Sequence, residues 1–280
     1  TATMTPTPTR TPTATPTTTP TATETSTSTP TATATATPLP TPNGIWGYVM
    51  VSGTKTAGIG VTLQYCTLAY SCSTAATSTT DAYGRYLFAG MPALDGSHLY
   101  YVQYVLTSGA ECSTRMNAYF GSDIAPYPVA GAALHAEDFD VASFNQIDPS
   151  LGASVDLPYT FSWYTRTEDT AVVEADNFAV RLYNSPLTVQ FYSADLGDVG
   201  QYEVTPDDVF GFTDSTTYRW KPYVFLNGGL SFGYACYDTF SFNPIPGQDG
   251  LSNSGPVSRP AFSSVKAERL ADSVVDFQMP

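Results

Sequence analysis

TTDAYGRYLF, residues 79–88, holds a turn and the strand that leaves it. Asp81 opens the turn and Gly84, lacking a Cβ, is free to take the positive φ that closes it. Beyond it Tyr86 and Phe88 fall on one face while Arg85 and Leu87 fall on the other, the period of two expected of a β-strand. The same period extends in both directions. Upstream, GVTLQYC (residues 60–66) sets Val61, Leu63 and Tyr65 against Thr62 and Gln64, which predicts a strand with one wet face, and IWGYVMV (residues 45–51) is the first strand. Downstream, HLYYVQYVL (residues 98–106) and LHAEDFDVA (residues 134–142) complete a sandwich. Adjacent Tyr100 and Tyr101 must point to opposite sides of their strand, so at least one lies outside its own sheet core, open to cover by another domain or subunit.

The order G-Y-V (residues 47–49), A-G-I-G-V-T-L (residues 57–63), T-T-D-A-Y-G-R-Y-L-F and Y-Y-V-Q-Y (residues 100–104) resembles the transthyretin-like, or prealbumin-like, modules. These include carboxypeptidase regulatory-like and SdrD B-type repeats of bacterial surface proteins. The resemblance spans residues 43–143 and gives a first module over residues 43–146. It implies a non-catalytic spacer or adhesin stalk. Some such modules carry a Lys–Asn isopeptide crosslink; here the first module holds only Lys55, in a Gly-rich turn, and its last predicted strand has no Asn, so no crosslink is expected.

A second module is predicted over residues 147–242. IDPSLGASVDLPYTFSWYTR leads into a strand with Phe161 and Trp163 on one face and Ser162 and Tyr164 on the other. NFAVRLY (residues 177–183) places Phe178, Val180 and Leu182 inward and Arg181 outward, and in TYRWKPYVF (residues 217–225) Tyr218 and Trp220 alternate with Arg219 and Lys221. Two Trp on separate strands, with a hairpin turn at Asn227-Gly228-Gly229, resemble a fibronectin type III or immunoglobulin-like sandwich. The fold class expected is therefore all-β, two tandem sandwiches. Residues 243–280 read as a turn-rich connector and a C-terminal strand whose Val274, Val275, Phe277 and Met279 either fold back on the second module or add to a neighbouring subunit.

Ahead of both modules, residues 1–42 include 21 Thr and 9 Pro. Such a stretch cannot bury enough apolar surface to offset the entropy of folding, and proline with β-branched Thr favours an extended polyproline-II-like backbone. It reads as a stalk or linker reaching on the order of 130 Å. Its composition is that of an O-glycosylated mucin-like segment, with Thr5, Thr7, Thr11, Thr15, Thr19, Thr29, Thr37 and Thr41 as candidate sites.

Composition narrows the function classes. A net charge of −14 offers nothing to a phosphate backbone, which excludes nucleic acid as a partner. No apolar run is long enough for a transmembrane helix, and no basic-then-apolar signal segment opens the chain, as expected of a mature or truncated sequence. Cys66 and Cys72 bracket a short turn between predicted strands and suit a disulfide in an oxidising compartment. Cys112 and Cys236 fall in different modules and could tie them together, pair between subunits or stay as buried thiols.

Catalytic residues are not expected. His98 and His135, the two histidines, stand in no Ser/His/Asp order or HExxH motif. Glu137, Asp138 and Asp140 lack a Gly-anchored calcium loop, with Asp138 and Asp140 on one strand face and Glu137 on the other. Glu168, Asp169 and Glu174 sit in one polar connection, and the GIG of residues 58–60 is not followed by a helix. Tyr100, Tyr101, Tyr104, Tyr119 and Tyr127 form a candidate sugar-stacking platform. The chain is thus expected to be a non-catalytic extracellular protein without a cofactor or metal, a subunit of a cell-surface fibre, filament or sheath that associates with copies of itself or other surface proteins. The alternative is an adhesin or carbohydrate-binding module with glycan partners.

Overall fold

A computed structural model describes residues 41–166, 177–185, 187–226, 230–244 and 278. The fold is all-β, with no α-helix among the described residues. The first part of the chain forms β1 (Ile45–Val51), β2 (Thr54–Lys55), β3 (Gly60–Thr67), β4 (Cys72–Thr79), β5 (Arg85–Phe88), β6 (His98–Val105), β7 (Ala118–Phe120), β8 (Leu134–His135) and β9 (Phe139–Asp140). The second part forms β10 (Gln146–Asp148), β11 (Ala153–Val155), β12 (Tyr159–Trp163), β13 (Asn177–Tyr183), β14 (Gln190–Tyr192), β15 (Gln201–Val204), β16 (Thr217–Leu226), β17 (Ser231–Tyr234) and β18 (Asp238–Phe242).

The turn ahead of β5 forms as its residues dictate. The Asp81 carboxylate accepts the backbone N–H groups of Tyr83 at 2.9 Å and Arg85 at 3.0 Å, and Gly84 takes φ 75°. A Cβ at Gly84 would meet the Thr56 nitrogen at 2.7 Å, so this position requires glycine twice over, for its conformation and for its space. Tyr86 and Phe88 then enter the core at 0% and 1% exposure.

Three sheets result. A five-stranded sheet centres on β1, which pairs with β2 and β5 antiparallel and with β8 and β9 parallel. A three-stranded sheet has the order β10-β12-β15. A ten-stranded sheet runs β11-β18-β16-β17-β7-β6-β3-β4, with β13 on the other edge of β16 and β14 beyond it. This long sheet crosses the predicted boundary after residue 146: β7 pairs with β17, Phe120 opposite Phe232 and Ala118 opposite Tyr234. The apolar core is equally continuous, one cluster reaching from Ile45 to Phe242 and including Phe161, Trp163, Phe178 and Trp220. Burial on this scale, at about 25 cal/mol per Å² of apolar surface, is the main stabilising term of the fold.

Candidate interaction surface

The central strands β16, β17, β7 and β6 of the long sheet are buried on both faces, while β4 at its edge is largely exposed. On β16, Tyr218, Trp220, Val224 and Leu226 belong to the principal core, while Tyr223 and Phe225 on the alternate positions belong to a second apolar cluster. That cluster takes Ala179 from β13, Phe232 and Tyr234 from β17, Ala118 and Phe120 from β7, Leu99 and Tyr101 from β6 and Cys66 from β3. Its rings touch across strands: Phe120 stacks on Phe232 with centroids 4.6 Å apart, and Tyr223 and Tyr234 lie 5.2 Å apart.

Cations thread one end of this outer face. The Lys221 Nζ stands 3.8 Å above the Tyr234 ring, and the Arg181 guanidinium lies 4.6 Å from Tyr183 and 4.7 Å from Tyr192. Arg181 also donates to the Tyr223 hydroxyl at 3.1 Å and to Gln190 Oε1 at 2.8 Å, and Arg219 lies 4.3 Å above Tyr237. Such contacts over aromatic faces each contribute about 0.5–2 kcal/mol, more where water is excluded. Water is largely excluded here, since Lys221 and Arg181 are 2% and 1% exposed. The outward direction expected for Arg181 holds, but outward does not mean wet. The same correction applies to β3, whose predicted wet face is partly covered: Gln64 is buried and its Nε2 donates to Gln103 Oε1 at 2.8 Å and to Thr74 Oγ1 at 3.2 Å.

The seam between the two halves is fastened at several points. Cys112 and Cys236 form a disulfide spanning 124 residues of sequence, with Cα atoms 5.8 Å apart. Of the three alternatives open for this pair, the structure thus shows the link between the halves. Ser108 caps the short 3-10 turn Gly109–Glu111 that presents Cys112. Arg166 of the second half donates to the Asp140 carbonyl of the first at 2.5 Å, and within the second half Gln146 Nε2 holds the bridge in place by donating to the Cys236 carbonyl at 2.6 Å and the Trp220 carbonyl at 3.3 Å. At Gly233 the strands come so close that a Cβ would stand 2.7 Å from the Met116 Sδ and 2.9 Å from the Ala118 carbonyl oxygen. Asp238, opposite Trp220 in the β16–β18 ladder, is buried there, and burial pushes its carboxyl up to about 6.

The other candidate residues are dispersed. Cys66 and Cys72 form the predicted disulfide at the end of the β3–β4 hairpin. Ser97 and Asp95 lie beside His98, and His135 Nε2 lies 2.7 Å from Asp138 Oδ1. The three acidic residues do different work: Asp140 accepts the backbone N–H groups of Ser52, Gly53 and Ala142, Asp138 accepts that of Tyr48, and Glu137 accepts the Tyr119 hydroxyl and the Ser122 N–H. Burial, and next the nearby Glu137, raises the Tyr86 and Tyr119 hydroxyls well above the usual range for tyrosine. Tyr100, Tyr101, Tyr104, Tyr119 and Tyr127 are all 3% exposed or less, so their rings are packed inside and present no stacking platform to solvent. Thr41 is exposed. Thr5, Thr7, Thr11, Thr15, Thr19, Thr29 and Thr37, the loop residues Glu168, Asp169 and Glu174, the turn at Asn227-Gly228-Gly229, and Val274, Val275, Phe277 and Met279 lie outside the described residues.

Sequence patterning missed the cationic stripe. A signal was present in the alternation of cations with Tyr on one strand face, Arg181 with Tyr183 and Lys221 with Tyr223, because a lysine on a solvated strand needs no ring beside it.

No family model matches the chain, and no curated protein matches it. Among solved structures, a DUF3823 family protein from Bacteroides ovatus shares 10% identity, covering 70% of this chain and 97% of that one, with a TM-score of 0.27. A mutant of the shaft pilin spaA from Lactobacillus rhamnosus GG shares 14% identity over 72% of this chain and 94% of that one, with a TM-score of 0.22. Among the described residues no helix is long and apolar enough to cross a membrane, and no group of three or more His, Cys, Asp or Glu is placed to hold a metal ion.

Proposed function

We propose that this chain is a non-catalytic structural subunit of an extracellular fibre, filament or sheath, with residues 1–42 as its stalk. The observation that carries the reading is the Cys112–Cys236 disulfide, set where one continuous sheet passes between the halves. A subunit pulled through its two ends feels tension along its covalent path. The disulfide shortens that path by 124 residues, so the strands between Cys112 and Cys236 are shielded from extension. A pair of bridges also suits the oxidising conditions outside a cell. The acidic residues weighed as a calcium site support the same reading, because Asp138, Asp140 and Glu137 are engaged with strand and turn backbone or with Tyr119. The finer kinship, a transthyretin-like module followed by a fibronectin type III or immunoglobulin-like one, belongs to this proposal and rests on the sequence motifs.

Electron microscopy of the purified full chain and of native material tests it. Regular filaments or sheets with a repeat that fits one subunit are the expected result. Dispersed monomers in both preparations overturn it. A glycan array with the same protein separates the alternative: specific saturable binding by an unassembled chain would favour an adhesin or carbohydrate-binding module.

A further inference from the structure

The outer cluster is covered, although its members belong to one side of one sheet. Apart from Tyr70 in the β3–β4 turn, every described residue packed into it comes from strands of the ten-stranded sheet. A sheet cannot roof its own face, yet Tyr101, Phe120, Phe225, Phe232 and Tyr234 are 3% exposed or less.

Gln278 brings the end of the chain beside this face, for it forms a parallel bridge with Tyr237. Tyr237 sits where the ladder changes partner: β17 pairs with β7 on one side of it and β18 with β11 on the other. Its ring lies beneath Arg219, at the cationic end of the outer face. Residues 245–277 separate Gln278 from the end of the second half, and at about 3.3 Å per residue they could reach about 110 Å, more than the roughly 48 Å width of a ten-stranded sheet. The segment also has the right chemistry. In an extended backbone Val275, Phe277 and Met279 share one side, suited to an aromatic face.

We propose that the C-terminal segment of the same chain, residues 273–280, docks on the outer face of the long sheet at the seam between its halves. This reading is independent of fibre formation. In it the segment is a third fastener of the two halves, after the β7–β17 pairing and the Cys112–Cys236 disulfide.

The test places the photoreactive residue p-benzoylphenylalanine at position 278 of the full chain and mixes natural with 15N-labelled protein before irradiation. Cross-links to peptides holding Tyr237, Tyr234 or Arg219, each within one isotopic species, are expected. Cross-links elsewhere, or none, overturn the docking. Cross-linked peptides of mixed isotope show that the segment comes from a second copy and overturn the own-chain assignment. The double variant Val275→Ser with Phe277→Ser adds a second readout: binding of the dye 1-anilinonaphthalene-8-sulfonate should rise several-fold as the aromatic face is uncovered. Wild-type fluorescence in that variant would count against the proposal.

Discussion

Both faces of the long sheet are buried along its central strands, but among the described residues only the outer one carries cations laid over its rings. The inner face packs Val, Leu, Phe, Trp and Tyr against two smaller sheets, with Phe161 between Trp220 and Phe240 at centroid distances of 5.1 Å. The outer face packs Tyr and Phe with Arg181 and Lys221 laid over the rings. An apolar core closes by area alone, whereas a face that also buries cations depends on what arrives to complete it. The inner face therefore specifies the fold, and the outer face leaves a choice of cover.

The disulfides divide between the faces, and breaking them gives the largest expected effect. Cys112 and Cys236 lie in the inner core and Cys66 in the outer cluster. In the chain-entropy description the loop of 124 residues contributes about 5 kcal/mol and the loop of 6 residues about 2 kcal/mol. Paired Cys→Ser replacement of the long bridge should lower the free energy of urea unfolding by about 5 kcal/mol and separate the melting of the two halves. Replacing the short bridge should cost less than half as much and leave one transition.

Large-to-small substitutions compare the faces directly. Phe161→Ala on the inner side should cost about 3–5 kcal/mol. Phe232, equally buried at 0% exposure, should cost about 3 kcal/mol on the outer side if its cover is present in solution. Denaturant unfolding reads both. A cost below about 1 kcal/mol for Phe232→Ala would show that this face stands open.

The difference between the faces also explains what was legible in the sequence. Period-two alternation identified Tyr86, Phe88, Phe161, Trp163, Phe178, Val180, Leu182, Tyr218 and Trp220 as inward residues, and each is in the principal core or packed within it. Alternation reports only which residues share a side. It does not report whether the other side is wet, so Arg181, Lys221 and Gln64, polar by composition, read as solvated and are buried. The adjacent pair Tyr100 and Tyr101 was the exception, because two large rings on opposite sides of one strand cannot both lie in a single core. They fall in the inner and outer clusters respectively. The seam was harder to see, since strand pairing between β7 and β17 joins residues more than a hundred positions apart and no local pattern encodes it.

The seam can be pried apart without touching either bridge. Gly233→Ala puts a methyl where the Met116 Sδ and the Ala118 carbonyl oxygen already stand, and the carbonyl belongs to a strand that cannot retreat without losing its ladder. A cost of about 1–3 kcal/mol is expected. Hydrogen exchange should rise first at Ala118, Tyr119 and Phe120, because these residues pair with β17. Unchanged protection there would mean that the halves do not depend on this pairing.

The smallest effect concerns a buried carboxyl whose environment opposes its charge. Asp238 lies against Trp220 with its Oδ1 lacking a hydrogen-bond partner among the described residues, and burial holds its carboxyl near about 6 instead of the ordinary 3.8. With the folded value raised, the unfolded chain releases its proton first as pH rises, so this group favours unfolding progressively from about pH 4 to about pH 6 and constantly above that. Stability from this residue alone is thus greater at pH 4 than at pH 7. Asp238→Asn keeps the shape and removes the charge. It should raise Tm at pH 7, leave Tm at pH 4 nearly unchanged, and flatten the slope between them, which thermal melts across that range would measure. An equal loss at both pH values would mean that the Asp238 carboxylate is ionised throughout, held by a partner in the fold, and stabilises it.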